Sequence, residues 1–206
     1  MRVWLASSNP GKLRDFAGMA PALEVDLLPG FSRLPPVIED GASFAANARK
    51  KAAEYSRAWG GEEWVLADDS GLEVAALNGA PGIYSARFAG EGASDADNNA
   101  LLLRRLEGVP SERRQAAFVC VLAVARQGQV AATFTGRAEG TILTAERGSN
   151  GFGYDPLFYS PEAGCAFGEL PAEVKARFSH RGKAARALLA WAQKHGAGNG
   201  RTLASR

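Results

Sequence analysis

At 206 residues the chain is long enough for one large domain or two small lobes around a sizeable core. Its formal net charge of +2 is too small to drive binding to nucleic acid or to a membrane surface, so any anion site has to be built locally. Cys120 and Cys165 match neither a disulfide framework nor a zinc cluster, no apolar run is long enough to span a bilayer, and Met1 to Ala6 lacks a signal-peptide core. The expectation is a cytoplasmic protein with no nucleic-acid or membrane partner.

Arg2 to Ala6 reads as an N-terminal strand, followed by Ser7-Ser8-Asn9-Pro10-Gly11-Lys12 and a helical run with Leu13, Phe16, Ala17 and Ala20. A Ser/Asn-rich loop opening a helix presents backbone N–H groups and the positive dipole end to an anion, with Lys12 adding a point charge. An ordinary N-capped helix after a strand is the other reading. The spacing is not that of a Walker A loop. Leu23 to Leu28 resembles a second strand, and Leu34-Pro35-Pro36 begins a loop carrying Glu39 and Asp40. Ser43 caps the next helix, whose Phe44, Ala48, Ala52, Tyr55 and Trp59 recur at helical spacing until Gly60-Gly61.

The apolar run Trp64-Val65-Leu66-Ala67 then reads as a strand ending at Asp68, where Asp68-Asp69-Ser70-Gly71 opens a turn. Adjacent carboxylates at the end of a buried strand are costly unless a cation sits there, and a divalent metal supplies one. A solvated Asp-Asp-Ser-Gly turn is the competing reading. Leu72 to Ala76 continues as a short extended segment, Asn78 to Gly82 as a turn, and Ser94 to Leu106 as a helix ended by Gly108-Val109-Pro110.

The second half opens with a hairpin, Ala116 to Ala125 and Val130 to Thr135 about Gln127-Gly128-Gln129, with Cys120 as a buried thiol. Ala138 to Leu143 adds a further strand. A polar loop leads to Gly151-Phe152-Gly153-Tyr154-Asp155, then Pro171 to Phe178 forms a short helix and Gly182 to His195 an amphipathic one. Residues 196–206 read as a frayed tail behind a single domain of residues 1–195.

Several separated motifs occur in one order: Ser8-Asn9-Pro10-Gly11-Lys12, Phe44 to Asn47, Ala67 to Leu72, Gly79 to Arg87, Gly151 to Phe158 and Ser179-His180-Arg181-Gly182-Lys183-Ala184. In these the chain, from about Val3 to Trp191, resembles the inosine triphosphate pyrophosphatase (Ham1-like) family. The resemblance implies an α/β fold, a central mixed β-sheet with flanking helices, with two lobes around a nucleotide cleft. It implies Mg²⁺-dependent hydrolysis of noncanonical purine nucleoside triphosphates (ITP, dITP, XTP) to the monophosphate and pyrophosphate, by a homodimer.

Carried onto this chain, the resemblance makes Asp69 the general base and a metal ligand, Glu39 the second metal ligand, and Asp68 a support. The triphosphate is expected along Ser7 to Lys12 with Ser70 nearby, and Lys51 and Lys175 join as cations, since phosphoryl transfer needs charge neutralisation above all. Lys51 lies in Arg49-Lys50-Lys51, which reads equally as the wet face of a helix. Phe152, Gly153, Tyr154, Asp155, His180 and Arg181 are expected to receive the base, where donors would favour a 6-keto purine over adenine. The chain departs from the family pattern at Ala46, where the family has Glu.

Overall fold

The computed structural model describes residues 1–7, 12, 16 and 23–196. Among these residues a seven-stranded sheet runs β2-β1-β3-β4-β5-β6-β7. Strands β1 (Arg2–Leu5), β2 (Glu24–Leu27) and β3 (Trp64–Val74) pair in parallel, and β3 pairs antiparallel with β4 (Gln115–Arg126). From β4 onward the sheet is antiparallel through β5 (Gln129–Ile142), β6 (Phe158–Ser160) and β7 (Cys165–Ala166). The mixed sheet expected from the motifs is therefore present.

Strand β4 is buried at every position from Ala116 to Ala125, an apolar run without alternation, because both faces of the sheet are covered. Helix α1 (Phe44–Trp59) packs Phe44, Ala48 and Ala52 against Ala67, Val119, Val121 and Ala123. On the opposite face, Ala184, Ala185 and Leu188 of α4 (His180–Gly196) meet Leu66, Cys120, Leu122 and Val124. Small residues on both helices let their backbones approach the sheet. Helix α2 (Asp95–Arg105) and the short helix α3 (Ala172–Phe178) flank a third cluster around Leu72, Phe118, Phe158 and Phe167.

Ser43 caps α1 by accepting from Ala46 N, and Gly60 ends it in the left-handed conformation at φ +75°, as the sequence predicts. Lys12 and Phe16 are helical and Phe16 is fully buried. The expectations for Ser8, Asn9, Pro10, Gly11, Leu13, Ala17 and Ala20, and for the tail beyond Gly196, lie outside the described residues.

Three expectations are corrected. Strand β3 does not end at Asp68; it stays paired with β4 from Val65↔Ala125 to Val74↔Ala116, so Ser70-Gly71 is strand and not turn. Gly71 is there for close approach: a Cβ would sit 2.3 Å from Ser85 Oγ and 2.6 Å from Gly82 O. Likewise Val130 to Thr135 and Ala138 to Leu143 are one strand, β5, crossing Gly136, where a Cβ would meet His180 O at 2.0 Å. The last helix begins at His180, two residues before Gly182, capped by Ser179, whose Oγ accepts from Gly182 N at 3.0 Å.

Candidate active site

Strand β1 pairs with β3 only as far as Leu5↔Leu66, with one further bond from Ala6 N to Leu66 O. Beyond that point the edge of β3 is uncovered by β1, and a cleft of about 370 Å³ opens at the carboxyl end of β1, a usual place for ligands in open α/β sheets. Because side chains alternate along a strand, Asp68 and Ser70 point to the α4 face while Asp69 points to the α1 face. Both faces contribute residues to the cleft. The adjacent carboxylates thus belong to two different clusters, a separation that neither sequence reading of the pair includes.

On the α4 face Asp68 is ion-paired with Lys12 and with Arg181, whose Nε lies 3.4 Å from Asp68 Oδ2. Arg181 Nη2 also donates to Ser70 Oγ at 2.9 Å, and Cys120 Sγ lies 3.5 Å from Asp68 Oδ2. Burial alone would raise the Asp68 pKa, but the Lys12 and Arg181 charges hold it well below the usual carboxylate range. Its two cations hold this carboxylate ionised at neutral pH. Its role is to fix two cations at the cleft wall.

On the α1 face, Lys51 settles its two readings: it is 8% exposed and sits between Glu39 Oε2 at 3.0 Å and Asp69 Oδ1 at 3.2 Å. It is not on a wet helix face. Asn47, one turn earlier in α1, accepts from Gly41 N at 2.8 Å and so holds the Glu39 loop onto the helix; a Cβ on Gly41 would lie 2.6 Å from that Asn47 oxygen. Asp69 Oδ2 is buried without a hydrogen-bond partner. Burial pushes the Asp69 pKa up to about 6; Lys51 pulls it down and Glu39 pushes it up. Ala46 is exposed on the first turn of α1.

Two carboxylates converging on one ammonium, with a buried carboxylate oxygen still unsatisfied, form a donor set suited to a hard cation. Among the described residues no group of three or more His, Cys, Asp or Glu is placed to hold a metal. A cation here would draw its remaining ligands from solvent and from a bound anion.

The far wall comes from residues 152–155 and the start of α4. Phe152 is half-buried, and Lys175 Nζ and Arg181 Cζ each lie 5.3 Å from its ring centroid. Tyr154 is buried, its hydroxyl donating to Ser85 O at 2.8 Å. Asp155, almost fully buried, accepts from Phe152 N at 2.9 Å and is ion-paired with Lys175; burial pushes its pKa up while Lys175 opposes the shift. His180 stacks on Phe118 at 4.7 Å with Nδ1 unpartnered; burial and then the Arg181 charge press its pKa far down, so the ring is neutral.

The described members of the expected site, Ser7, Lys12, Glu39, Asp69, Ser70, Phe152, Gly153, Tyr154, Asp155, Lys175, His180 and Arg181, all line this one cleft. Sequence reasoning missed Ser85, whose Oγ accepts from Leu72 N at 2.8 Å and donates to Gly82 O at 2.6 Å, locking the 82–87 segment to β3. Its one signal in the sequence was its place inside the Gly79 to Arg87 motif.

Fold and site together define an α/β protein with a cleft of interleaved acids and bases at the carboxyl end of β1 in a mixed sheet. Residues 3–191 match the profile of the Ham1 family. The chain is 51% identical over 192 residues to a dITP/XTP pyrophosphatase of Thermus thermophilus, covering 92% of this chain and 90% of that one. To its counterpart in Desulfotalea psychrophila it is 50% identical over 182 residues, covering 87% and 80%. The solved Staphylococcus aureus Ham1 protein superposes with a TM-score of 0.83 at 38% identity, covering 95% of this chain and all of that one. The chain belongs to the Ham1 family.

Proposed function

We propose that this protein hydrolyses the noncanonical purine nucleoside triphosphates ITP, dITP and XTP to the monophosphate and pyrophosphate, clearing them from the nucleotide pool. The observation that carries this reading is the divergence of two neighbouring carboxylates. Asp68 is held ionised and spent on Lys12 and Arg181, whereas Asp69, pushed up to about 6, has an unpartnered oxygen and is poised to accept a proton near neutral pH.

In this reading Asp69 takes the proton of the attacking water as its oxygen bonds to phosphorus and pyrophosphate leaves. Ser7 to Lys12 and Ser70 bind the phosphate chain, Arg181, expected at the base, spans from Phe152 to Ser70, and Lys51 keeps Asp69 and Glu39 oriented toward the phosphates. Mg²⁺, held by Glu39 and Asp69 together with phosphate oxygens and water, would supply charge neutralisation on the phosphates. Phe152 offers the stacking face for the base. Lys175, held in place by Asp155, and the neutral His180 present the donors that sense its 6-position, where a keto oxygen suits them and an amino group leaves them unpaired. The family resemblance adds a homodimer working in the cytoplasm. Among the described residues no helix is long and apolar enough to cross a membrane.

The test is a nucleotide panel with product analysis. ITP, dITP and XTP should be turned over much faster than ATP and should release pyrophosphate. Release of orthophosphate, or equal rates with ATP, would overturn the reaction or the substrate class respectively.

A further inference from the structure

The base wall is an irregular segment, residues 150–157, yet its central peptide groups are held by a helix more than fifty residues away in sequence. Gly153 N donates to Asp95 Oδ2 at 2.6 Å, and Gly153 O accepts at 3.2 Å from Asn99 Nδ2, which also donates to Glu146 Oε1 at 3.1 Å. Asp95 and Asn99 are four residues apart, so they lie on one face of α2, one turn above the other. Neither side chain is consumed by the helix itself. The capping box of α2 is completed by Ser94 and Asp97, which bond reciprocally at 2.9 and 3.2 Å.

Gly153 adopts φ +64° with open space where a Cβ would stand, so glycine is present for its conformation and not for room. With both of its backbone groups tied to α2, and Phe152 N tied to Asp155, the peptide planes on either side of Gly153 have no freedom to turn. Phe152 is thereby left facing Lys175 and Arg181. The neighbouring Asn98 reaches the opposite wall, accepting from Ala89 N at 2.8 Å and donating to Ala86 O at 3.3 Å. The first turns of α2 therefore brace both sides of the cleft.

We propose that Asp95 and Asn99 are positioning residues that preorganise the Phe152–Tyr154 wall for the purine base, an inference that rests on reading the cleft as a nucleotide site. A loop already held in its bound conformation loses little entropy when the base docks, so the tether acts on nucleotide affinity and leaves the phosphate chemistry alone. Asp95→Ala and Asn99→Leu should each raise KM for ITP about tenfold, the value of one hydrogen bond, with kcat within about threefold of wild type. Inhibition by inorganic tripolyphosphate, which has no base, should be unchanged. Asp95→Asn should restore the wild-type KM, since its amide oxygen still accepts from Gly153 N. Hydrogen exchange at the amides of Phe152 and Gly153 should accelerate in Asp95→Ala while exchange in β4 stays as in wild type.

The proposal is overturned if tripolyphosphate inhibition weakens in step with ITP, if kcat falls at constant KM, or if Asp95→Asn is as impaired as Asp95→Ala. Unchanged exchange at Gly153 in Asp95→Ala overturns the tether itself, whatever the substrate. Failure of the wild-type protein to turn over ITP would instead strike the functional reading.

Discussion

Asp69 carries the sharpest consequences at the level of single residues. Replacing it with Asn removes the proton acceptor, so kcat with ITP should fall by at least about a hundredfold in steady-state assays, the lower end of general-base contributions. The same change should stabilise the metal-free protein at neutral pH. The folded carboxyl binds its proton more tightly than the unfolded one, about 6 against 3.8, so the stability it contributes is complete below about pH 4 and is lost as pH rises through 6. The loss is of order 3 kcal/mol. Urea titrations in chelator should find Asp69→Asn more stable than wild type at pH 7, with the gap closing toward pH 4. Asp68 has the opposite sign: its pKa is depressed, so its contribution is present above about pH 4 and fades only in stronger acid.

Among the elements, the turn after α2 depends on a buried cation without a carboxylate. Arg114, 6% exposed, donates to Leu106 O at 2.8 Å, Val109 O at 2.9 Å and Leu143 O at 3.2 Å, joining the carboxyl end of α2 to the end of β5. Arg114→Met would leave those carbonyls unsatisfied and should cost roughly 2–3 kcal/mol, read as a lower urea midpoint at constant m-value. The limits of α1 and the start of α2 were legible because caps are local: Ser43, Gly60 and Ser94 act on backbone groups within a few residues. Strand limits at Gly71 and Gly136 were not. A glycine reads as a turn when only its chain neighbours are known, whereas here Ser85 and His180, 14 and 44 residues onward, require the missing side chain.

At the scale of the molecule, a divalent cation taken up at Glu39 and Asp69 should stabilise the whole fold. Binding to the folded state alone at a hundred times Kd adds about 2.7 kcal/mol, which for a chain of this size raises Tm by roughly 5–10 °C. Thermal scans with and without MgCl₂ check this, and Asp69→Asn should lose most of the shift. The residue types of the site were readable from the chain: adjacent carboxylates, a loop carrying Glu39, a cation at each of Lys12, Lys51 and Lys175, an aromatic-glycine run and the Ser179-His180-Arg181 triplet. Their order along the sequence carried the resemblance to the family, and through it the expectation of a mixed α/β architecture, because motif order is a property of the chain itself. What each charge faces was decided only by the tertiary structure. The alternation of β3 sends Asp68 toward Arg181 and Asp69 toward Lys51, and the early end of β1 lets both reach one cleft. These are helix-to-strand contacts between residues 18 and 113 positions apart, and their geometry is set by packing that no local pattern encodes.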